Sequence, residues 1–180
     1  MKILAISGSP RKGGNTDIMV ETFAGAANEK GHVCQIVYLS EKHPNPCMAC
    51  NACRNKEDGL CVQKDDMQEI YRMMQQSDMI VLASPLYYFT VSAQLKCLID
   101  RFYAPGSRGK SIKAAALFID SGSPGYEGAE YMYQRSVNFL GWKDMGMIEI
   151  PGMKAKGAMA ECPKLSEVAA FAESLPMEIE

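Results

Sequence analysis

Two stretches of the chain carry residue types that could do chemistry. Ser7-Gly-Ser-Pro-Arg-Lys-Gly-Gly-Asn-Thr16 offers hydroxyl donors at Ser7, Ser9 and Thr16 and a guanidinium fork at Arg11. Gly8, Gly13 and Gly14 let the main chain come close to a ligand. Hydroxyls, a fork and glycines in this density suit a phosphate. The pattern is neither a Walker P-loop nor G-x-G-x-x-G, which weakens a nucleoside triphosphate site and a first-loop NAD site; an ordinary Gly/Ser turn is the bland alternative. The second stretch is Cys47, Cys50, Cys53 and Cys61, spaced C-x2-C-x2-C-x7-C. Sulfurs two residues apart can converge on one centre while the fourth arrives from farther along the loop, as a [4Fe-4S] cubane requires. Thiols without metal and a zinc site stand beside that reading, although all-cysteine zinc sites generally use two separated pairs.

The elements that must position these residues follow from hydrophobic periodicity. Ile3 to Ile6 lack polar alternation and read as a strand covered on both faces, and Asn15 or Thr16 is expected to cap a helix over 17–30. Strands are expected at 32–39, 79–83, 113–120 and around 146–150. Helices are expected at 65–76, 94–102, 129–140 and 164–174. Five strands alternating with five helices imply right-handed crossovers and an α/β fold, a doubly wound three-layer sandwich in one domain over 1–180 with a cysteine-rich loop at 44–64.

In such a sheet ligands sit at the carboxyl ends of strands near the point where the winding reverses. Three loops satisfy that rule: Ser7 to Thr16, Ser84 to Thr90, and Ser121 to Gly125. The second contains Tyr87, Tyr88 and Phe89, a flat apolar wall for a planar ring whose edge could meet main-chain N–H groups. Core or interface packing is the alternative for these rings. A phosphate at one end and a planar heterocycle at the other describe a mononucleotide, and FMN is the redox candidate.

Size and composition agree with an ordinary globular chain. It has 180 residues, 47% hydrophobic and 22% charged, with a formal net charge of -2. That charge gives no electrostatic case for nucleic acid or an anionic membrane surface. No apolar run approaches the ~20 residues of a membrane span, and Met1-Lys2 leads straight into strand sequence, so a cytoplasmic location is expected. Seven cysteines in this setting favour metal or redox chemistry over a disulfide framework. Cys34 and Cys97 are expected as small core residues and Cys162 as a free thiol. His32 and His43 lie far from the three loops and are expected to be structural or solvated. Asp65-Asp66 should cap the following helix, Asp100-Arg101 should form a local ion pair, and Trp142 should be core or a dimer contact.

Ser7 to Thr16, Ser84-Pro-Leu-Tyr-Tyr88 and Ala93-Gln-Leu-Lys-Cys-Leu-Ile-Asp-Arg101 together resemble the NADPH-dependent FMN reductase and iron-sulfur flavoprotein branch of the flavodoxin-like superfamily. The resemblance implies a five-stranded parallel sheet of order 2-1-3-4-5. It implies that Ser9, Arg11, Asn15 and Thr16, with Ser7 in the same loop, hold the FMN phosphate. Pro85, Leu86, Tyr87 and Tyr88 would lie along the ribityl and isoalloxazine, and Ser121 and Gly122 on the far side of the ring. It also implies Cys47, Cys50, Cys53 and Cys61 as cluster ligands, NAD(P)H as donor, and a homodimer or homotetramer. The leading expectation is an oxidoreductase passing electrons from NAD(P)H through FMN to a quinone, flavin, metal or protein acceptor. A non-enzymatic electron carrier with a [4Fe-4S] cluster and a thiol-based redox sensor are the alternatives.

Overall fold

The computed structural model describes residues 1–108 and 111–179, with backbone only at 107 and 108. Five strands run β1 Lys2–Ser7, β2 Val33–Tyr38, β3 Met79–Pro85, β4 Ala114–Asp120 and β5 Lys143–Ile150. The helices are α1 Asn15–Glu29, α2 Met67–Gln75, α3 Ala93–Arg101, α4 Glu127–Leu140 and α5 Leu165–Ser174. The strands pair in parallel in the order β2-β1-β3-β4-β5. β3 and β4 are buried along their whole length, as continuous apolar runs with helices on both faces must be.

Two apolar layers cover the sheet. On one face Leu4, Ile6, Ile80 and Leu82 pack with Ile70 and Tyr71 of α2, Leu95 and Leu98 of α3 and Tyr133 of α4. On the other, Ile3, Val81 and Phe118 pack with Met19 and Phe23 of α1 and Val168 of α5. The winding reverses between β1 and β3, so the crevice at their carboxyl ends is where a doubly wound sheet opens for a ligand. Among the described residues no helix is long and apolar enough to cross a membrane.

Several sequence expectations shift. α1 begins at Asn15, with Gly14 at its cap position and no side-chain cap, so neither Asn15 nor Thr16 caps it. Asn15 instead ties α1 to the chain after β5: its Nδ2 donates to the carbonyls of Met153 and Ala155, and its Oδ1 accepts from the N–H of Met159. β5 starts three residues early, at Lys143, through a register shift against Ala115 and Leu117 and a positive φ of 111° at Gly146. Asp100 and Arg101 do not pair with each other. Asp100 meets Lys96 one turn back, and Arg101 reaches across the fold to Asp65. Adjacent helical residues point about 100° apart, whereas residues four apart share a face. Trp142 is core, edge-on to Phe102 with ring centroids 5.8 Å apart. Cys34 and Cys97 are half-buried rather than interior, and Cys162 is a half-buried free thiol as expected.

Candidate functional site

The crevice between β1 and β3 is built from buried polar groups. Gly8 donates its N–H to the Ala83 carbonyl at 2.7 Å, joining the first loop to β3. A Cβ at Gly8 would stand 2.7 Å from Leu95 Cβ, so only glycine lets this loop lie against α3. Ser92, at the cap of α3, accepts from the Leu95 N–H and donates from Oγ to the Gly8 carbonyl at 2.6 Å. Beneath the loop Asp17, fully buried, accepts from Ser7 Oγ at 2.5 Å and from the Gly13 N–H at 2.7 Å. Ser9 Oγ accepts the Arg11 N–H at 3.1 Å. The loop is therefore fixed from inside, and the first N–H groups of α1, which have no acceptor within the helix, open at its mouth.

Ser9, Arg11, Asn15, Thr16, Pro85, Leu86, Tyr87, Ser121 and Gly122 line one narrow cavity of about 70 Å³. It shares Leu86, Ser121 and Gly122 with a neighbouring wider space of about 320 Å³ walled by Tyr88, Phe89, Ser123 and Pro124. Every expected cofactor residue thus reaches one of the two spaces except Ser7, which lies beneath the loop on Asp17. Asp17, Asp120, Met153 and Lys156 escaped the sequence reading. Asp120 ends β4, lines the narrow cavity and accepts a hydrogen bond from Thr16 Oγ1. Burial and the charge of Asp17 push its carboxyl up to about 6, against the lowering effect of the Thr16 bond and Arg11.

The aromatic loop is a two-residue hairpin. Tyr87 and Thr90 exchange backbone hydrogen bonds at 2.9 and 3.1 Å, and Tyr88 and Phe89 both take positive φ, 46° and 65°. Such turns favour Asn and Gly, and two aromatic residues there hold conformational strain of about 1–3 kcal/mol each. Tyr88 is 97% exposed and Phe89 68% exposed, beside the wider space. The N–H groups of Leu86, Tyr87 and Thr90 are committed to Asp120, Thr90 and Tyr87 carbonyls, which leaves the edge of a bound ring to other donors.

The cysteine loop is organised otherwise. Cys47 and Cys50 are exposed, Cys61 is half-buried and Cys53 is buried. Among the described residues no three His, Cys, Asp or Glu side chains come together to hold a metal, so the four thiols are not gathered on one centre. The loop is pinned at its base. Arg101, buried on α3, donates to both Asp65 oxygens at 2.8 and 3.1 Å and to the Asn45 carbonyl at 2.9 Å, while Asn45 N–H donates to Asp65. Burial would raise the Asp65 carboxyl, but the Arg101 bonds and main-chain donors outweigh it and hold it below the ordinary carboxylate range. Asp65 also accepts the Met67 N–H at 3.3 Å, so part of the expected capping role is present, whereas Asp66 accepts from the His43 N–H. A larger cavity of about 500 Å³ lies between Cys47, Ala49, Asn51, Phe102, Tyr103 and Phe139. It has none of the crevice's buried polar framework. His32 sits by the terminal amine, away from both loops.

Residues 1–158 match the sequence profile of the family described as NADPH-dependent FMN reductase. An iron-sulfur flavoprotein of Methanocaldococcus jannaschii is 46% identical over 101 residues, which cover 56% of this chain and 51% of that protein. One from Archaeoglobus fulgidus is 39% identical over 136 residues, covering 73% and 60%. The chain thus spans a little over half the length of these curated relatives. In structure it resembles an NAD(P)H:quinone oxidoreductase from Methanothermobacter marburgensis, with a TM-score of 0.80 and 18% identity, covering 98% of this chain and 99% of that one, a likeness of fold. The flavodoxin-like architecture and the match over most of the chain agree: this protein belongs to the NADPH-dependent FMN reductase family.

Proposed function

We propose that the chain binds FMN in the β1/β3 crevice and is an oxidoreductase taking electrons from NAD(P)H and passing them to a quinone, a flavin, a metal or a protein acceptor. The observation that carries this reading is that the two spaces adjoin, with Leu86, Ser121 and Gly122 as their common wall. A narrow polar end has Arg11, Lys156, Ser9 and a helix N-terminus for a phosphate, and a wider end has Tyr88 and Phe89 for a flat ring. The donor set fits the group: cations, a hydroxyl and main-chain N–H groups at one end, apolar faces at the other. Bound FMN would supply the hydride and electron chemistry, and the protein's share is to hold, orient and partly shield it. Pro85, Leu86 and Tyr87 would wall the ribityl chain, and Ser121 and Gly122 would close it from the β4 side. The proposal includes a cytoplasmic setting and a homodimer or homotetramer, for which Tyr88, Phe89, Tyr131 and Phe139 supply exposed apolar surface.

The test is an absorbance spectrum of protein purified without oxygen, with flavin identification, before and after NADPH. Flavin bands bleached by NADPH are expected; a protein that takes up no FMN overturns the reading. A second reading, an electron carrier with a [4Fe-4S] cluster on Cys47, Cys50, Cys53 and Cys61, is favoured by the thiol spacing and by the names of the relatives. It requires the loop to close around the metal. Iron and acid-labile sulfide near four per chain would support it, and their absence from protein kept free of oxygen would remove it.

A further inference from the structure

Asp120 and Thr16 stand together where the phosphate end of the crevice meets β4. Both are buried, 5% and 1% exposed, and both line the narrow cavity with Arg11, Asn15 and Lys156. Thr16 Oγ1 donates to Asp120 Oδ2. A hydroxyl has one proton and two lone pairs, and an ionised carboxylate only accepts. With Asp120 ionised, the Thr16 proton is spent on it, and Thr16 can offer a phosphate oxygen only lone pairs. With Asp120 protonated, the carboxyl donates to Thr16 Oγ1 and the Thr16 proton is released toward the cavity. One proton reverses the polarity of this wall.

Resting on the FMN reading, we infer that Asp120 is a positioning residue for phosphate recognition, acting through Thr16, and that the cofactor's phosphate binds with uptake of one proton at Asp120. The charged and titratable groups around Asp120 bear on this in both directions. Arg11 from the first loop favours its ionised form, and Lys156 from the chain after β5 lines the same cavity. Asp17 of α1 opposes it, and the Tyr126 phenol, bonded to Ser121 at 2.7 Å, stays neutral because burial raises it. Burial and Asp17 already push Asp120 up to about 6 before any ligand arrives. A phosphate dianion adds a second negative neighbour and drives the carboxyl further toward its protonated form.

The experiment measures FMN and riboflavin affinity between about pH 7 and about 8.5, where the free FMN phosphate is already a dianion, with calorimetry in buffers of different ionisation enthalpy. The expected result is a loss of about tenfold in FMN affinity per pH unit, uptake of about one proton, and no slope for riboflavin. Asp120→Asn, whose amide can donate to Thr16 at every pH, should bind FMN without the slope, and Thr16→Ser should keep it. FMN binding by wild-type protein that is flat with pH overturns the inference and leaves the FMN reading standing. Proton uptake that persists in Asp120→Asn also overturns it, because the proton then lies on the phosphate. Protein that binds no FMN at any pH overturns both.

Discussion

Residues 8–14 and residues 44–64 both follow parallel strands at the carboxyl edge of the sheet, and they are held in different ways. The first loop is fixed by groups beneath it: Asp17 on Ser7 and Gly13, Ser92 on Gly8, Gly8 on Ala83. The second is fixed at its base by Arg101, while Cys47 and Cys50 stand exposed. α3 touches both, through Ser92 at its start and Arg101 at its end. A ready polar cradle takes a ligand without rearranging, whereas ungathered thiols must bear the ordering cost of closing around a metal. The comparison teaches that one helix can serve a preformed site and a loosely held one at once.

The largest expected effect breaks the second loop at its anchor. Arg101→Met leaves Asp65 buried without its cation and should cost about 3–5 kcal/mol in urea unfolding. The loop cysteines should also react faster with a thiol reagent. A loss below about 1 kcal/mol would mean that the pair does not anchor the loop. The pH dependence follows from the sign of the shift. Asp65 is held below its unfolded value, so its contribution is present above about pH 4 and is lost as pH falls through the lower folded value. Acid unfolding of Arg101→Met should lack that component.

A smaller effect separates the two ends of the crevice. Arg11 is exposed at the mouth of the first loop, so Arg11→Ala should leave the urea midpoint unchanged. FMN affinity should fall about tenfold through the lost phosphate contact, discounted for solvent screening, while riboflavin affinity should not change. Equal losses for both flavins would move Arg11 away from the phosphate.

Much of this contrast was legible in the sequence, for physical reasons that differ by element. The doubly wound class and the three crevice loops follow from continuous apolar runs such as Met79–Ala83 alternating with helical patterns, whereas the strand order came only from the family resemblance. Asp17 and Asp120 were not legible as site residues. Each is a carboxylate at the edge of an element, where sequence shows only a polar end; Asp120 meets Thr16 from 104 positions away, and Asp17 turns under Ser7 and Gly13 of the loop just before it. The Arg101 anchor was hidden for a similar reason. Its partner lies 36 positions away, while a neighbouring Asp100 offered a simpler pair that helix geometry does not permit. Asn15 looked like a cap because its tether, residues 153–159, lies at the far end of the chain.

The smallest expected effect tests the aromatic hairpin against the phosphate end. Tyr88 has almost no packing to lose, since it is 97% exposed, and its φ of 46° is one that glycine adopts without strain. Relief of that strain is partly offset by the extra freedom glycine gives the unfolded chain, so Tyr88→Gly should change stability by no more than about 1 kcal/mol, in the stabilising direction. A strained side chain held in solvent contributes little to the fold, and under the proposed FMN reading the wider space beside it is where Tyr88 would cover the ring. Loss of one aromatic face of about 0.5–1.5 kcal/mol should weaken flavin binding by roughly twofold to tenfold. The loss should be equal for FMN and riboflavin, because Tyr88 meets the ring end and not the phosphate, the opposite of the Arg11→Ala pattern. A lowered melting temperature with unchanged flavin affinity would instead make the hairpin a structural turn and return its strain to the packing of Phe89 against Gly125.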